Sequence, residues 1–491
     1  MTEQSLPRLG GRHRPPAAGP IEQLEARGAL ERRDLLADRG LRVAELDPGA
    51  PERSRLNDCL ERCQMADLDS GQAIMFCDRS VHIFVFYESV GCDDAVAMQR
   101  FDLELRVLLA FAFVNGIAES ALVPLLPSIR TDLGLSPLET GMLLATTTLA
   151  MLVAAMPVSF AANRFGTRRL LLLAATLMPV ALVGQALAGS LPELLGARLL
   201  FGLSFGILWV IGPARAASGG RGAGGTGPLL AASGAGWLVG PLIAGGLADA
   251  AGWRLASGTL AIVTLPLIAV VARHASSREG GERIENLRLR TALGLVRHNR
   301  TVAGVALVSA LLGVVSGVSG LLVPLALAGN GLSAGGIGLA FGISAAVWIA
   351  SATLVGRLRA SAVHLRGVGI VIAVLAGAWL IPALRLSTLA LVAFLVVSAG
   401  CRSTINALVF AVGVRASDGT SAPMVIGVMN LAWAVMALAT PLVAGLAEGS
   451  SGVRIAFAAT GAIALGVALV TLAPRPGIRA PSATSTASSS S

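Results

Sequence analysis

From residue 104 onward the chain alternates between long apolar runs and short polar breaks. The runs fall near 104–127, 138–160, 168–188, 193–214, 227–250, 255–273, 301–328, 334–356, 366–384, 387–412, 422–446 and 453–473. A helix of that length, rising ~1.5 Å per residue, crosses a hydrocarbon layer of ~30 Å. Within lipid a helix satisfies its own backbone groups, which makes it the expected form. The pattern predicts an all-α integral membrane protein with twelve transmembrane helices. The domain plan follows: a partly disordered cytoplasmic extension over 1–103, helices one to six over 104–273, and a central cytoplasmic loop over 274–300. Helices seven to twelve then occupy 301–473, and 474–491 is expected to be a disordered tail.

Arginine placement orients these helices. One set of alternate loops carries Arg164, Arg168, Arg169, Arg215, Arg221, seven arginines from 273 to 300, Arg357, Arg359, Arg366 and Arg415. The opposite set carries Arg130, Arg254, Arg385 and Arg454. The arginine-rich set is expected in the cytoplasm, and both termini with it. Composition agrees: 54% of the residues are hydrophobic and 14% charged, well below the ~25% charge typical of soluble domains. Mean hydropathy is +0.73. Residues 1–100 hold 17 of the 29 acidic residues, so the body is basic. Because that excess sits in the loops of one side, it points to a lipid bilayer and not to nucleic acid. The central loop contains ERIENLRLRTALGLVRHNR. An amphipathic helix at the inner surface and a solvated linker with a helical turn or two fit it equally.

The apolar body repeats itself. Residues 241–254 read PLIAGGLADAAGWR and residues 441–454 read PLVAGLAEGSSGVR, 200 positions apart and without a gap. Pro241 lies in the fifth run and Pro441 in the eleventh; Arg215 closes the fourth and Arg415 the tenth. The matched order of runs supports two six-helix pseudo-repeats over a chance match of Gly/Ala-rich helix ends. Repeats related by an axis along the membrane normal are a transporter architecture, with the substrate site between the halves near the midplane.

Four local features resemble the major facilitator superfamily over roughly residues 104–473. Asn163-Arg164-Phe165-Gly166-Thr167-Arg168-Arg169, after the second run, is similar to the loop motif G-x-x-x-D-R-x-G-R-R, with Ser159, Asn163 and Thr167 departing from it. Pro124-Leu125-Leu126-Pro127 followed by SIRTDLGLS resembles the first-helix motif of twelve-helix drug:proton antiporters. Arg198 and Gly202 match R-x-x-x-G in the fourth helix. Gly236, Gly240 and Pro241, followed by Gly245-Gly246, resemble the fifth-helix antiporter motif, with one extra residue before the glycine pair. The resemblance implies a secondary transporter working by alternating access. It assigns Asn163, Arg164, Gly166, Gly202, Gly236, Gly240 and Pro241 to helix packing and conformational change.

Charged residues inside a membrane are costly and rare. Glu119 in the first run, Arg198 in the fourth and Arg402 in the tenth are those placed well inside. Glu119 and Arg198 suit proton coupling, because a carboxylate whose burial or whose distance from a guanidinium changes would gain or lose a proton. A fixed ion pair joining two helices is the alternative. Asn115 shares a helix face with Glu119, and Asn406 shares one with Arg402. With Asn430 they form a candidate substrate cavity, in which Arg402 favours a compound carrying an acid; helix-to-helix hydrogen bonding is the alternative for Arg402. Asp249 and Glu448 read as helix-end residues reached by water. Trp209, Trp237, Trp348 and Trp433 read as packing or interface anchors.

The first hundred residues carry no apolar run of secretory length. Val81–Tyr87 has strand composition. Cys59, Cys63, Cys77 and Cys92, with His82, fit no established zinc spacing and read as reduced cytosolic thiols, so no metal or cofactor is expected. Translation from Met98 is a further expectation. No nucleotide-binding loop of the G-x-x-x-x-G-K-[ST] type occurs, and no hydrolytic grouping is recognisable, so the chain is not expected to be an enzyme. The expectation is a proton-coupled exporter of a small amphiphilic compound in a plasma membrane, most simply a bacterial inner membrane. The alternatives are proton-coupled uptake of an organic anion, or a membrane sensor with a transporter-like fold.

Overall fold

The computed structural model describes residues 92–217, 226–275, 289–355, 364–415 and 422–473. The expected strand at 81–87, Cys59, Cys63, Cys77, His82, residues 276–288 of the central loop and the tail from 474 lie outside the described residues. The whole apolar body lies in one compact unit that begins at Arg100. Among the described residues all regular structure is helical. The first half comprises α1 (Cys92–Ser120), α2 (Leu122–Asp132), α3 (Pro137–Phe165), α4 (Thr167–Leu187), α5 (Leu191–Ala217) and α6 (Thr226–His274). After α7 (Leu289–His298) come α8 (Arg300–Gly329), α9 (Ala334–Val355), α10 (Leu365–Leu384), α11 (Thr388–Arg415), α12 (Ala422–Ser451) and α13 (Val453–Leu472). The central loop therefore carries a real helix, α7, which packs against α8 and α12.

Eleven described stretches are long and apolar enough to cross a membrane. One of them, Gly227–His274, has 48 residues, about twice the length that a crossing needs. Its helix is broken at Gly252, where φ is 80° and ψ 165°. Only glycine adopts that backbone without strain. Gly452, with φ 83° and ψ 151°, separates α12 from α13 in the same conformation, 200 positions later. The break divides α6 into two arms where the fifth and sixth apolar runs were expected to part. Two further positive-φ turns, at Gly134 before α3 and Gly331 before α9, lie 197 positions apart.

Helix ends are set by local chemistry. Ser136 caps α3 in a reciprocal box: its hydroxyl accepts from the Glu139 amide at 3.3 Å, and the Glu139 carboxylate accepts from the Ser136 amide at 2.7 Å. Asn299 caps α8 by accepting from Thr301 and Val302. In the second half Trp379, Phe394 and Phe457 stack with ring centroids 4.8–5.7 Å apart and pin α10, α11 and α13 together.

Two helix pairs make the most extensive contacts between the halves. α3 packs on α12, and the first arm of α6 packs on α9. Both contacts are built alike. A methyl group on Gly141 of α3 would overlap the Pro441 carbonyl of α12, and one on Gly445 of α12 would overlap the Pro137 carbonyl of α3. At the other pair, a methyl on Gly338 of α9 would overlap the Pro241 carbonyl, and one on Gly245 would overlap the Ala334 carbonyl. Pro241 and Pro441 thus occupy equivalent places, as do Gly141 and Gly338. The shared phrase in the sequence is a repeated inter-half contact, which closes the arginine-poor end of the bundle.

Gly141→Val and Gly338→Val should each force this end apart by at least ~1 Å, because carbon and oxygen need about 3.5 Å. Electron-electron distance measurements between spin labels on α3 and α12, or on α6 and α9, would show the widening. Gly246→Val, where nothing lies within 4 Å of the added carbon, should leave the distances unchanged. Unchanged distances in Gly141→Val and Gly338→Val would show that these contacts do not hold the end shut.

Candidate functional site

Glu119 sits near the end of α1, half-buried, and its carboxylate accepts a hydrogen bond from the Trp237 indole N–H at 3.1 Å. The contact follows from glycine spacing. A methyl on Gly236 or Gly240 would overlap the Phe113 or Ile117 carbonyl of α1, and one on Gly116 would overlap the Ser233 carbonyl. The backbones of α1 and α6 therefore lie against each other, and Trp237, next to Gly236, is carried onto Glu119. Sequence reasoning treated Trp237 as an anchor; its position inside the Gly236–Gly240 spacing was the available signal. Asn115, one turn before Glu119, is fully buried, and neither its amide nitrogen nor its carbonyl oxygen has a protein partner. A buried, unsatisfied carboxamide is costly, and such groups in native proteins commonly hold water or ligand.

Arg198 is 3% exposed in α5. It makes no ion pair with Glu119, although their charges act on one another. Its guanidinium donates instead to Gln185 Oε1 on α4. Gln185 Nε2 donates to Ser257 Oγ at 2.9 Å, and Ser257 Oγ donates to the Trp253 carbonyl at 2.9 Å. The Trp253 indole then donates to Asp132, which also receives Arg254. A continuous polar chain thus runs from buried Arg198 through α4 and the second arm of α6 to Asp132, at the end of α2. Gln185 was missed in the sequence, where it stands as the lone amide of the third apolar run.

In the second half, Arg402 on α11 is half-buried and donates to Ser316 Oγ on α8 at 2.9 Å. Ser316 in turn donates to the Leu312 carbonyl at 2.7 Å, so its oxygen is turned to accept from Arg402. Asn406 is half-buried one turn beyond Arg402, whereas Asn430 on α12 is exposed. Gly202 lets α5 meet α3, since a methyl there would overlap the Thr147 carbonyl.

At the arginine-poor end, Asp249 and Glu448 do more than finish helices. Asp249 on α6 accepts from the Ser333 hydroxyl at 2.7 Å and the Gly335 amide at 3.0 Å, at the start of α9. Glu448 on α12 pairs with Arg130 of α2 at 2.7 Å. Both bonds join one half to the other beside the glycine–carbonyl contacts. At the arginine-rich end, Gly166 turns the chain between α3 and α4 with φ 84°. Arg164 lies over the Phe165 ring at 5.6 Å, Asn163 is exposed, and Arg168 donates to the Ala272 carbonyl at 2.5 Å. Arg215 and Glu104 tie α5 to α1 at 2.5–2.8 Å, a pair not singled out in the sequence.

Residues 108–441 match the sequence profile of the Major Facilitator Superfamily (MFS_1). No curated protein is significantly similar to the chain. Among solved structures, the fold is similar to a bacterial homolog of the human lysosomal transporter Spinster in an inward-facing, unoccupied conformation. The TM-score is 0.58 at 16% identity, over 76% of this chain and 95% of that one. It is also similar to the nucleoside transporter NupG, with a TM-score of 0.60 at 13% identity over 75% of this chain and 99% of that one. The human organic anion transporter MFSD10 (TETRAN) gives 0.55 at 16% identity, over 76% and 99%. At these identities the likeness shows the fold alone.

Gln185→Leu should leave the Arg198 guanidinium buried with one partner fewer. The expected loss is about 1.5–3 kcal/mol of stability, the usual worth of a hydrogen bond to a charged group. Unfolding of the purified protein in mixed detergent would measure it. Gln185→Glu, which can still accept from Arg198, should lose less than Gln185→Leu, and equal losses would show that the hydrogen bond between Arg198 and Gln185 carries no stability.

Proposed function

The chain belongs to the major facilitator superfamily, and we propose that it is a proton-coupled secondary transporter of a small amphiphilic compound in the plasma membrane, with Glu119 as the proton site. Twelve crossings, with the arginine-rich end and both termini in the cytoplasm, complete this reading. The observation that carries it is the setting of Glu119: an acid inside an apolar span, hydrogen-bonded to the neutral Trp237 and within the field of Arg198, but in no ion pair among the described residues. A permanent ion pair would lock the carboxylate in its charged form. Here the indole N–H serves either form, since a protonated carboxyl still has an oxygen to accept it. Movement of α5 relative to α1 changes the distance from Arg198 and with it the proton affinity of Glu119.

Alternating access requires the closed end to open while the other closes. The inter-half bonds of Asp249 and Glu448, with the glycine–carbonyl contacts, are the interactions broken in that step. Export by antiport is supported by the resemblance of Gly236, Gly240 and Pro241 to the antiporter motif and by their close seating on α1. Uptake of an organic anion is the second reading. It is favoured by Arg402, which has no carboxylate partner among the described residues.

Glu119→Gln keeps the shape and removes the titration. Proteoliposomes carrying it should show no pH-driven accumulation of any substrate found in a compound screen, while exchange down a substrate gradient persists. Concentrative transport with normal proton movement in this variant would place the coupling site elsewhere.

A further inference from the structure

Arg402 is a cation within a membrane span, and the helices around it carry no charge to balance it. α11 packs against α8, α9, α10 and α12. α8, α9 and α10 contain no acidic residue, and the single acid of α12, Glu448, is bound to Arg130 at 2.7 Å. The other cations, Arg300 on α8, Arg366 on α10 and Arg415 on α11 itself, stand in first or last turns. Among the described residues Arg402 therefore has one partner, the neutral hydroxyl of Ser316. That hydroxyl fixes the direction of the guanidinium without neutralising it, because its own proton is given to Leu312. A guanidinium offers five N–H donors in a fork suited to a planar or tetrahedral anion. An uncompensated cation within an apolar span is costly unless a counter-charge arrives.

The duplication says where that counter-charge meets the proton site. Ser316 follows Glu119 by 197 positions, the same interval that separates Gly141 from Gly338 and Pro137 from Ala334 in the matching inter-half contacts. The local packing agrees. Gly116, three residues before Glu119, lies against Ser233 and Trp237 of α6, and Gly313, three before Ser316, lies against Trp433 and Met436 of α12. At one register, then, the first half presents a carboxylate and the second half a hydroxyl holding a guanidinium. The groups facing Glu119 are Trp237 from α6 and the charge of Arg198 from α5; those facing Arg402 are Ser316 from α8 and no described acid.

We infer that Arg402 and Ser316 form the anion subsite of the transported molecule, an amphiphilic organic anion, and that this anion binds together with a proton on Glu119, the latter part resting on Glu119 being the proton site. Protonation of Glu119 removes the one acid in the midspan set and leaves Arg198 and Arg402 to attract the anion. Proton and substrate then favour each other's binding and travel in the same direction. A cationic substrate would instead compete with the proton, which is the logic of export by antiport. The subsite selects the uptake reading.

Hexanesulfonate is a suitable probe, because its charge does not change with pH, and hexylammonium is its cationic counterpart. Calorimetry on the full chain in zwitterionic-lipid nanodiscs should show binding of the sulfonate and none of the ammonium. Affinity should be about tenfold higher in mildly acidic than in mildly alkaline buffer, the effect of one charge at roughly 10 Å in a partly screened site. Arg402→Gln should abolish sulfonate binding and Arg402→Lys should restore part of it, which separates lost charge from lost folding. Ser316→Ala should weaken it. Glu119→Gln should bind at the acidic affinity in both buffers. Equal or tighter binding of hexylammonium, or wild-type sulfonate affinity in Arg402→Gln, overturns the subsite. A pH dependence that survives in Glu119→Gln overturns the proton site while leaving the Arg402 results standing. Loss of sulfonate binding when phosphatidylglycerol is included in the nanodisc would identify a lipid headgroup as the occupant and overturn the substrate role.

Discussion

Two helices can approach to backbone contact only where one of them lacks a side chain. That constraint organises this protein at every level. Within the first half, Gly116, Gly236 and Gly240 bring α1 and α6 together, and Gly202 brings α5 onto α3. Between the halves, Gly141 and Gly445 seat on Pro441 and Pro137, and Gly245 and Gly338 on Ala334 and Pro241. The driving force is not apolar burial, because lipid tails are as apolar as leucine. It is close van der Waals packing, which small residues permit. The polar groups then fall where the close approaches put them: Trp237 on Glu119, and Asp249 at the start of α9.

The use of proline carbonyls at both inter-half contacts has a physical basis. A proline cannot donate to the carbonyl four residues before it and bends the helix around itself. Its own carbonyl still points along the helix and can lie against a facing glycine. The result is a tight contact without a strong directional bond. Such a contact can be made and broken at modest cost, as a moving interface requires, whereas a leucine-filled seam would have to be repacked. The two polar links beside it, Arg130–Glu448 and Asp249 with Ser333 and Gly335, lie at the arginine-poor end, where water can receive the separated groups.

Much of this was legible before the structure. Helices in lipid must be long, apolar and internally satisfied, so α3, α4 and α8 to α13 begin and end within a few residues of the apolar runs. The 200-residue repeat was visible because Pro241, Gly245 and their counterparts are fixed by contact geometry, which tolerates few residue types. The partners of the charged groups were not legible. Arg198 was expected near Glu119 as a coupling partner, with a fixed ion pair as the alternative; its hydrogen bond to Gln185 was not foreseen, because a side chain's direction on a helix depends on the rotation of that helix against its neighbours. Asp249 and Glu448 read as helix ends for the same reason: nothing in the sequence says that the start of α9 and Arg130 lie opposite them. Residues fixed by backbone approach leave a spacing in the sequence, whereas residues fixed by a partner on another helix leave only their chemistry.

The two halves share a frame and differ in charge, and the difference is what a transporter needs. A perfectly duplicated site would present the same group twice across the axis, either two acids or two cations. Two acids at close range would share one proton, and two cations would repel each other unless a ligand were always present. Divergence of one register from Glu119 to Ser316, with Arg402 placed on the hydroxyl, avoids both outcomes. With the proposed proton on Glu119 and substrate anion on Arg402, the two would occupy separate groups on opposite halves, each sensitive to the charge state of the other. Rocking of the halves about the glycine–proline contacts, as proposed, would change the distance between these groups. On the proposed reading, coupling between proton and substrate would need no dedicated relay, because it would follow from putting the two charges on two bodies that move against each other.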